Sequence, residues 1–362
     1  MKVLLKFSKK FIYLSQSAAV LIAIVAATIQ VQPLFAAGTT LAPGDIVFTG
    51  YITNGTIDAP DAFSFITLVP LSAGTEIYFT DNGWTGSNFR GVTELKADGS
   101  EGLARLTVNN PIVAGAVIRS NDTSLDFTWI VTGSIASGVI GNYTPISLGQ
   151  AGDQLTALQS VNSTNPIFSG FTPLAQIDYS GVFEPAINSA TGDLVPMLSQ
   201  AAGTVVLFNN LAPYAAFNLN SLASGTISEW RTAIGNSANW TFNTTGTSLP
   251  TGAVTVLTPA SILTQPVSNQ TINISTTATL NVTAGGTAPF SYQWYQGSTG
   301  DISNPVTNGT SASFTTPVLT ETTSYWVRVS NNLGAVDSMT ATVNVVDLST
   351  LTEIFYLPVV LR

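Results

Sequence analysis

From residue 44 onward the chain is a succession of short apolar or alternating runs, each bounded by Gly, Pro, Asn or Asp. The runs are rich in β-branched and aromatic residues, which favour strands over helices. The clearest of them are segments 45–51, 62–68, 75–80, 112–118 and 203–208. Turn residues separate the runs, for example at 81–83 and 152–153. The pattern predicts an all-β protein made of two β-sandwich domains.

One segment has the pattern of a short helix. Thr226 followed by Glu229 fits a capping box, in which each side chain bonds the backbone N–H of the other residue. Trp230, Ala233 and Ile234 share one face of the predicted helix. Gly235 is predicted to end the helix.

The amino end has the parts of a secretory signal. Four lysines lie within the first ten residues, an apolar run follows at about 18–29, and small residues follow at 36–38. This order predicts a signal peptide at residues 1–37 and a secreted or cell-surface protein. Retention as a membrane anchor stays open, because the apolar stretch is long and large residues precede the predicted cleavage point.

A Thr- and Pro-containing stretch predicts where the exported part divides. We predict a large β domain at 44–256, a linker at 257–265, a second domain at 262–347 and a tail at 348–362. The tail is either a sorting segment or a last strand. Its apolar end is too short to cross a bilayer as a helix, so no membrane insertion is expected once the signal is removed.

Composition narrows the chemistry that is possible. The chain has no histidine and no cysteine, which excludes Ser-His, Cys-His and zinc hydrolase sites. The predicted signal holds four of the eleven basic residues and none of the twenty acidic ones, so its removal leaves seven against twenty, a charge of −13. That balance argues against nucleic acid as a partner. The partner we expect is an extracellular protein or a glycan.

Residues 262–346 resemble the immunoglobulin-like modules of bacterial surface proteins. Segments 279–282, 291–295, 324–334 and 340–345 are similar to strands B, C, F and G. The resemblance implies that Trp294 packs between the sheets and that Tyr325 lies at the tyrosine corner. Val282 and Val327 stand where antibody domains have their cystine, so apolar burial alone would hold the two sheets together.

Residues 44 to about 180 resemble the lamin-tail-like domain, an immunoglobulin-like sandwich of exported bacterial proteins. The similar segments are 44–48, 79–84, 147–157 and 177–179. They also resemble, more closely, an uncharacterised β module of secreted multidomain proteins, whose later part is similar to 203–208 and to the helix before Trp240. Neither group supplies catalytic residues that could be transferred.

Carboxylates are the remaining candidates for catalysis, since a glycosidase needs only two of them across a cleft. The available residues are Glu76, Asp81, Glu94, Glu101, Glu184 and Glu229. None lies in a recognisable local motif. A capping-box role explains Glu229 better, and a solvent-facing strand position explains Glu76 better.

Calcium is the cation that this composition would suit, because loops can supply carboxylate and carbonyl oxygens to it. Asp58 and Asp61 share one loop, and Asp81 lies in another. We expect these three to be the calcium ligands, if there are any. The alternative is that Asp81 begins an ordinary turn and that its side chain bonds the nearby backbone.

Trp84 follows that turn and is the candidate binding residue, because its ring could contact a sugar or a protein. The family resemblance favours a structural place for it at the end of the strand. The leading interpretation is a non-enzymatic secreted or surface protein that acts in adhesion, surface structure or ligand display. The alternatives are a carboxylate-based polysaccharide hydrolase and a pair of carbohydrate-binding modules.

Overall fold

The computed structural model describes residues 38–53, 61–89, 102–122, 127–131, 134–136, 146, 148, 153–161, 170–181, 193–208, 212–244 and 248–347. Strands dominate these residues, and the all-β sandwich fold class is confirmed. We call residues 38–257 the N-terminal unit and residues 258–347 the C-terminal unit. The predicted signal at 1–37, the tail at 348–362 and Asp58 lie outside the described residues.

The N-terminal unit has two large sheets. Its described strands are β1 (Ile46–Ile52), β2 (Ala62–Thr67), β3 (Glu76–Thr80), β4 (Leu103–Thr107), β5 (Val117–Asp122), β6 (Phe127–Val131), β7 (Ser134–Ala136), β8 (Gln154–Ser160), β9 (Phe171–Asp178), β10 (Val205–Leu207), β11 (Tyr214–Phe217), β12 (Ser224–Thr226), β13 (Trp240–Asn243) and β14 (Thr255–Leu257). The order β13-β11-β1-β2-β5-β6-β7 forms a seven-stranded sheet, and β10-β9-β8-β3-β4 forms a five-stranded sheet. A short parallel pair, β12 with β14, lies beside them.

Aromatic side chains fill the space between these two sheets. Phe48, Phe63, Phe65 and Trp129 come from the seven-stranded sheet, and Phe79 comes from the five-stranded sheet. The Phe79 ring lies 5.0, 4.9 and 5.1 Å from the rings of Phe63, Phe65 and Trp129. All five side chains are buried. Alternation along each strand places these residues on the inner faces, so the sandwich is held by one aromatic core.

The predicted helix is present as α1 (Ile227–Gly235), and its capping box is confirmed. The Thr226 hydroxyl accepts from the backbone N–H of Glu229, and the Glu229 carboxylate accepts from the backbone N–H of Thr226. Trp230 and Ile234 are fully buried. Gly235 is the last helical residue rather than the residue that stops the helix, and the chain leaves through an extended Asn236.

The prediction of a strand at 112–118 is wrong for residues 112–116, which precede the observed strand. Ile112 makes only an isolated bridge, and β5 begins at Val117. Between them Gly115 adopts a φ of +87°, a conformation that side chains disfavour. A Cβ at Gly115 would lie 2.0 Å from the Val254 carbonyl oxygen. The close approach of the later segment therefore imposes a turn where the apolar pattern alone predicts a strand.

The C-terminal unit is a smaller sandwich. Its strands are β15 (Ser261–Thr264), β16 (Asn269–Asn273), β17 (Thr279–Asn281), β18 (Thr283–Gly285), β19 (Ser291–Gln296), β20 (Ser313–Thr315), β21 (Thr323–Asn331), β22 (Gly334–Asp337) and β23 (Ala341–Val346). One sheet has the order β16-β23-β21-β19, with β22 paired to β21. The pairs β15-β18 and β17-β20 lie outside that sheet.

Trp294 occupies the core of this unit, as the immunoglobulin resemblance implies. Its side chain is fully buried, its ring lies 5.5 Å from that of Phe314, and its indole N–H donates to the Ser311 carbonyl at 2.8 Å. Val282 and Val327, at the cystine positions, are both buried in the same cluster. Apolar packing therefore joins the sheets without a covalent bond.

Trp326 points to the opposite face of β21, as alternation along a strand requires. Its ring stacks on Tyr295 with centroids 4.5 Å apart and planes at 13°. The indole N–H donates to the Asp301 carbonyl at 3.3 Å, and the Arg328 guanidinium lies 5.5 Å from the ring centre. A loop and a strand neighbour thus cover this tryptophan completely.

The stretch predicted as a linker is short and attached at several points. β14 ends at Leu257 and β15 begins at Ser261, which leaves three residues between them. The Asn331 amide donates to the carbonyls of Thr258 and Thr287, at 2.9 and 2.8 Å. Its Oδ1 accepts from the Ala260 N–H at 3.2 Å. These contacts hold the connection against the C-terminal unit, and the division into two domains stays a prediction.

No helix among the described residues has both the length and the apolar content that a bilayer crossing requires.

Candidate functional site

The two described aspartates of the predicted calcium site are both buried. One Asp61 carboxylate oxygen accepts a short hydrogen bond from the Leu148 N–H, and one Asp81 oxygen accepts from the Gly102 N–H. Each side chain thus bonds backbone far from it in sequence. Among the described residues, no three acidic side chains are grouped as metal ligands. The calcium role of Asp58, Asp61 and Asp81 stays a prediction.

Asp61 and Asp81 both act on the buried phenol of Tyr179. Burial raises the pKa of Tyr179 well above its ordinary value, and Asp153, Tyr51, Asp61 and Asp81 raise it further, in that order. The Tyr179 ring stacks on Tyr51 with centroids 4.3 Å apart. The tertiary structure therefore brings three buried aspartates, Asp61, Asp81 and Asp153, near Tyr179.

We expect these tyrosines to make the N-terminal unit sensitive to alkali. Burial raises the pKa of Tyr51 above its ordinary value of about 10. The stabilisation is complete below that pH and is lost above it, because the unfolded chain releases the phenolic proton and the folded chain retains it. The free energy of unfolding should fall by about 1.4 kcal/mol per pH unit for each such tyrosine.

Chemical denaturation of wild type and Tyr51→Phe between pH 9 and 11 measures this dependence. The variant loses the 3.0 Å bond to the Ala212 carbonyl at every pH, so it starts less stable. Its slope with pH should nevertheless be shallower by about one proton. Parallel slopes in the two proteins would contradict the assignment to Tyr51.

The described carboxylates that were considered for glycosidase chemistry all have hydrogen-bond or ion-pair partners within the fold. Glu76 pairs with Arg105 at 3.4 Å and accepts from the Tyr78 hydroxyl at 3.0 Å. Glu229 caps α1, and its hydrogen bonds from Thr226 lower the pKa of its carboxyl. The other three glutamates, Glu94, Glu101 and Glu184, lie outside the described residues.

Trp84 belongs to a buried aromatic cluster. Only 7% of its surface is exposed, and its ring meets those of Phe89 and Phe171 edge to face, at 5.1 and 6.1 Å. The ring is therefore packed among other aromatic side chains after β3. So little exposed surface leaves the ring no flat face for a sugar.

That cluster covers the outer face of the five-stranded sheet, which the sequence pattern alone does not reveal. Gln154 and Thr156 alternate with core residues along β8, a pattern that predicts polar side chains facing solvent. Both are 1% exposed. The Gln176 side chain of the neighbouring β9 donates to the Asp193 carbonyl at 3.1 Å and accepts from the Val195 N–H at 3.2 Å. A later segment therefore lies over this polar face.

The C-terminal unit carries an exposed apolar patch that the sequence analysis also missed. Leu263, Val267 and Met339 are exposed to 71, 58 and 68%. Leu263 and Val267 lie two residues before and two residues after Gln265, whose side-chain oxygen accepts from the Met339 N–H at 2.9 Å. We call these three residues the Leu263 patch. Clustered exposed apolar side chains mark interaction surfaces more often than isolated ones do.

Comparison with known proteins finds a family model that is similar to the C-terminal unit. Residues 259–346 match the family model described as Ig-like domain CHU_C associated. The comparison with curated proteins finds no match.

Three solved immunoglobulin structures illustrate the similarities found. A chimeric titin Z1Z2 carrying a decorin peptide is 19% identical over 25% of this chain and 98% of its own, with a TM-score of 0.21. The I67–I69 fragment of titin is 20% identical over 25% of this chain and 33% of its own, also at 0.21. Extracellular domains 3–5 of Drosophila OTK are 11% identical over 84% of this chain and 99% of their own, with a TM-score of 0.22. TM-scores this low do not establish a shared fold over the aligned residues.

Proposed function

We propose that this chain is a non-enzymatic, secreted or surface-attached protein that binds an extracellular partner in adhesion, surface structure or ligand display. The Leu263 patch supports this most directly, because it is an exposed apolar surface on a unit that matches an Ig-like family. The partner would be an extracellular protein or a glycan, and contact with three aliphatic side chains favours protein. The N-terminal unit would be the lamin-tail-like sandwich and act as scaffold.

Several observations are consistent with a role in binding rather than catalysis. The described carboxylates that were candidates for hydrolysis are a buried backbone acceptor, a salt-bridged strand residue and a helix cap. The absence of histidine and cysteine removes the commonest bases and nucleophiles. Surface charge is sparse, since charged residues make up 9% of the chain. Contact through shape and apolar area suits such a surface.

The test compares wild type with the double variant Leu263→Asn, Met339→Gln in a binding array. The array carries extracellular polysaccharides, cell-wall fractions and purified outer-surface proteins. We expect wild-type binding to a surface protein to weaken at least tenfold in the variant, because the apolar contact is lost. Both substituted residues are exposed, so folding should be unaffected.

Val161→Asn is the matched control, since Val161 is 93% exposed and lies on the N-terminal unit. It should bind as the wild type does. Equal binding by the double variant would contradict a role for the Leu263 patch. Release of reducing sugar from any arrayed polysaccharide would contradict the non-enzymatic assignment.

A further inference from the structure

Four oxygen-bearing side chains are buried on the outer face of the five-stranded sheet or just beyond the end of β3. They are Asn82, Gln154, Thr156 and Asp178, which we call the polar row. Gln154 on β8 stands directly opposite Asp178 on β9, so the two side chains share one face. Each of the four is at most 2% exposed.

The Gln154 amide has a defined orientation. Its Nε2 donates to the Asp81 carbonyl at 2.7 Å and to the Asp153 carboxylate at 3.1 Å. A flipped amide would set an oxygen against both of these acceptors, so the orientation is required by its partners. The Gln154 Oε1 is buried and has no hydrogen-bond partner within the described part of the chain.

Asn82 and Thr156 present the same situation. The Asn82 Nδ2 donates to the Thr80 hydroxyl at 2.7 Å and to the Gly102 carbonyl at 3.3 Å, which again orients the amide. Its Oδ1 and the Thr156 hydroxyl oxygen are buried, and no described residue bonds either atom. Three separate acceptors are therefore buried on this face or just beyond the end of β3 without a donor among the described residues.

Asp178 adds negative charge to this surplus of acceptors. Its Oδ1 accepts from the Ser180 N–H and hydroxyl, at 2.8 and 2.6 Å. The Asp153 carboxylate, which accepts from the Gln154 amide at 3.1 Å, is also buried. In a covered site such charges interact more strongly than they do in water. A positive group between these oxygens would therefore be strongly stabilised.

We propose that the polar row binds a hard divalent cation, for which calcium is the best match. Calcium takes carboxylate, amide and hydroxyl oxygens and needs neither histidine nor cysteine. This site is different from the one predicted at Asp58, Asp61 and Asp81, and it depends on neutral oxygens more than on a group of acids. The cation would satisfy the Gln154, Asn82 and Thr156 oxygens together and join β3, β8 and β9 on their outer face.

The first experiment measures the thermal unfolding of the full chain in calcium chloride, in magnesium chloride and in excess chelator. At calcium a hundredfold above its dissociation constant, the ratio of folded to unfolded N-terminal unit should rise about a hundredfold. Magnesium should act more weakly, because it demands a small octahedral site. Identical unfolding in calcium and in chelator overturns the proposal.

The second experiment uses Thr156→Val, which keeps the shape of the side chain and removes one proposed ligand. In chelator the variant should be at least as stable as wild type, because the lost hydroxyl has no partner among the described residues. In calcium its stabilisation should be several-fold smaller. A full wild-type calcium response in Thr156→Val overturns the assignment, since the cation would then bind elsewhere.

Thr49→Val is the matched control on the other sheet. Thr49 is equally buried, but its hydroxyl bonds that of Ser64 at 2.9 Å. Its replacement should lower stability by the same amount in calcium and in chelator and leave the calcium response intact. A calcium response that also disappears in Thr49→Val overturns the local assignment to the polar row.

Discussion

Phe79→Ala is expected to lower the free energy of unfolding of the N-terminal unit by about 3–5 kcal/mol. Phe79 is the aromatic residue through which the five-stranded sheet meets Phe63, Phe65 and Trp129 of the other sheet. Its removal deletes buried apolar surface and three ring contacts, and the rings around it belong to paired strands that cannot collapse into the space. Since whole domains are stable by only about 5–15 kcal/mol, much of the unit should be unfolded at moderate temperature.

Denaturant titration followed by tryptophan fluorescence measures this effect, because Trp129 lies 5.1 Å from the Phe79 ring. Phe79→Leu is the control, and it should cost markedly less since it leaves most of the volume filled. Equal stability of wild type and Phe79→Ala would mean that the two sheets do not share this core.

Trp294→Ala is expected to cost the C-terminal unit about 3–5 kcal/mol. The change removes a fully buried indole and leaves the Ser311 carbonyl without its donor. With Val282 and Val327 at the cystine positions, no covalent bond limits the loss. For a unit of this size the melting temperature should fall by roughly 15 °C or more.

Calorimetry of wild type and Trp294→Ala checks this prediction and the domain division together. One transition should move and the N-terminal transition should stay in place, as expected when two units have separate cores. Val318→Ala is the control, because Val318 is 59% exposed on the same unit and its truncation should change little. Unchanged melting of Trp294→Ala would show that the assignment of β19 as strand C is wrong.

Local sequence was sufficient to predict the features that depend on residues close together along the chain. The capping box of Thr226 and Glu229 formed as predicted because both partners lie within one helical turn. The β19 strand around Trp294 was implied by the immunoglobulin resemblance, in which this short segment is similar to strand C. The turn at Gly115 could not be predicted in this way, because the Val254 carbonyl that approaches it comes from a distant segment.

Burial of polar groups was the feature that sequence could not predict. The sequence pattern indicated Asp61 and Asp81 as loop acids, but their acceptor bonds reach Leu148 and Gly102, far away along the chain. The Trp84 ring was a candidate for binding until Phe171 of β9 was seen to cover it. In each case the missing information was which segment covers the residue.

By itself the sequence determined the all-β class, the alternation that assigns each strand residue to one of two faces, and the absence of imidazole and thiolate chemistry. Only the tertiary structure decided which of those faces are covered. Gln154 and Thr156 alternate with core residues along β8, and the fold buries them as well. Leu263 and Met339 are apolar, and the fold leaves them exposed. The physical reason is that alternation is set within one strand, whereas burial depends on segments distant in sequence that pack against it.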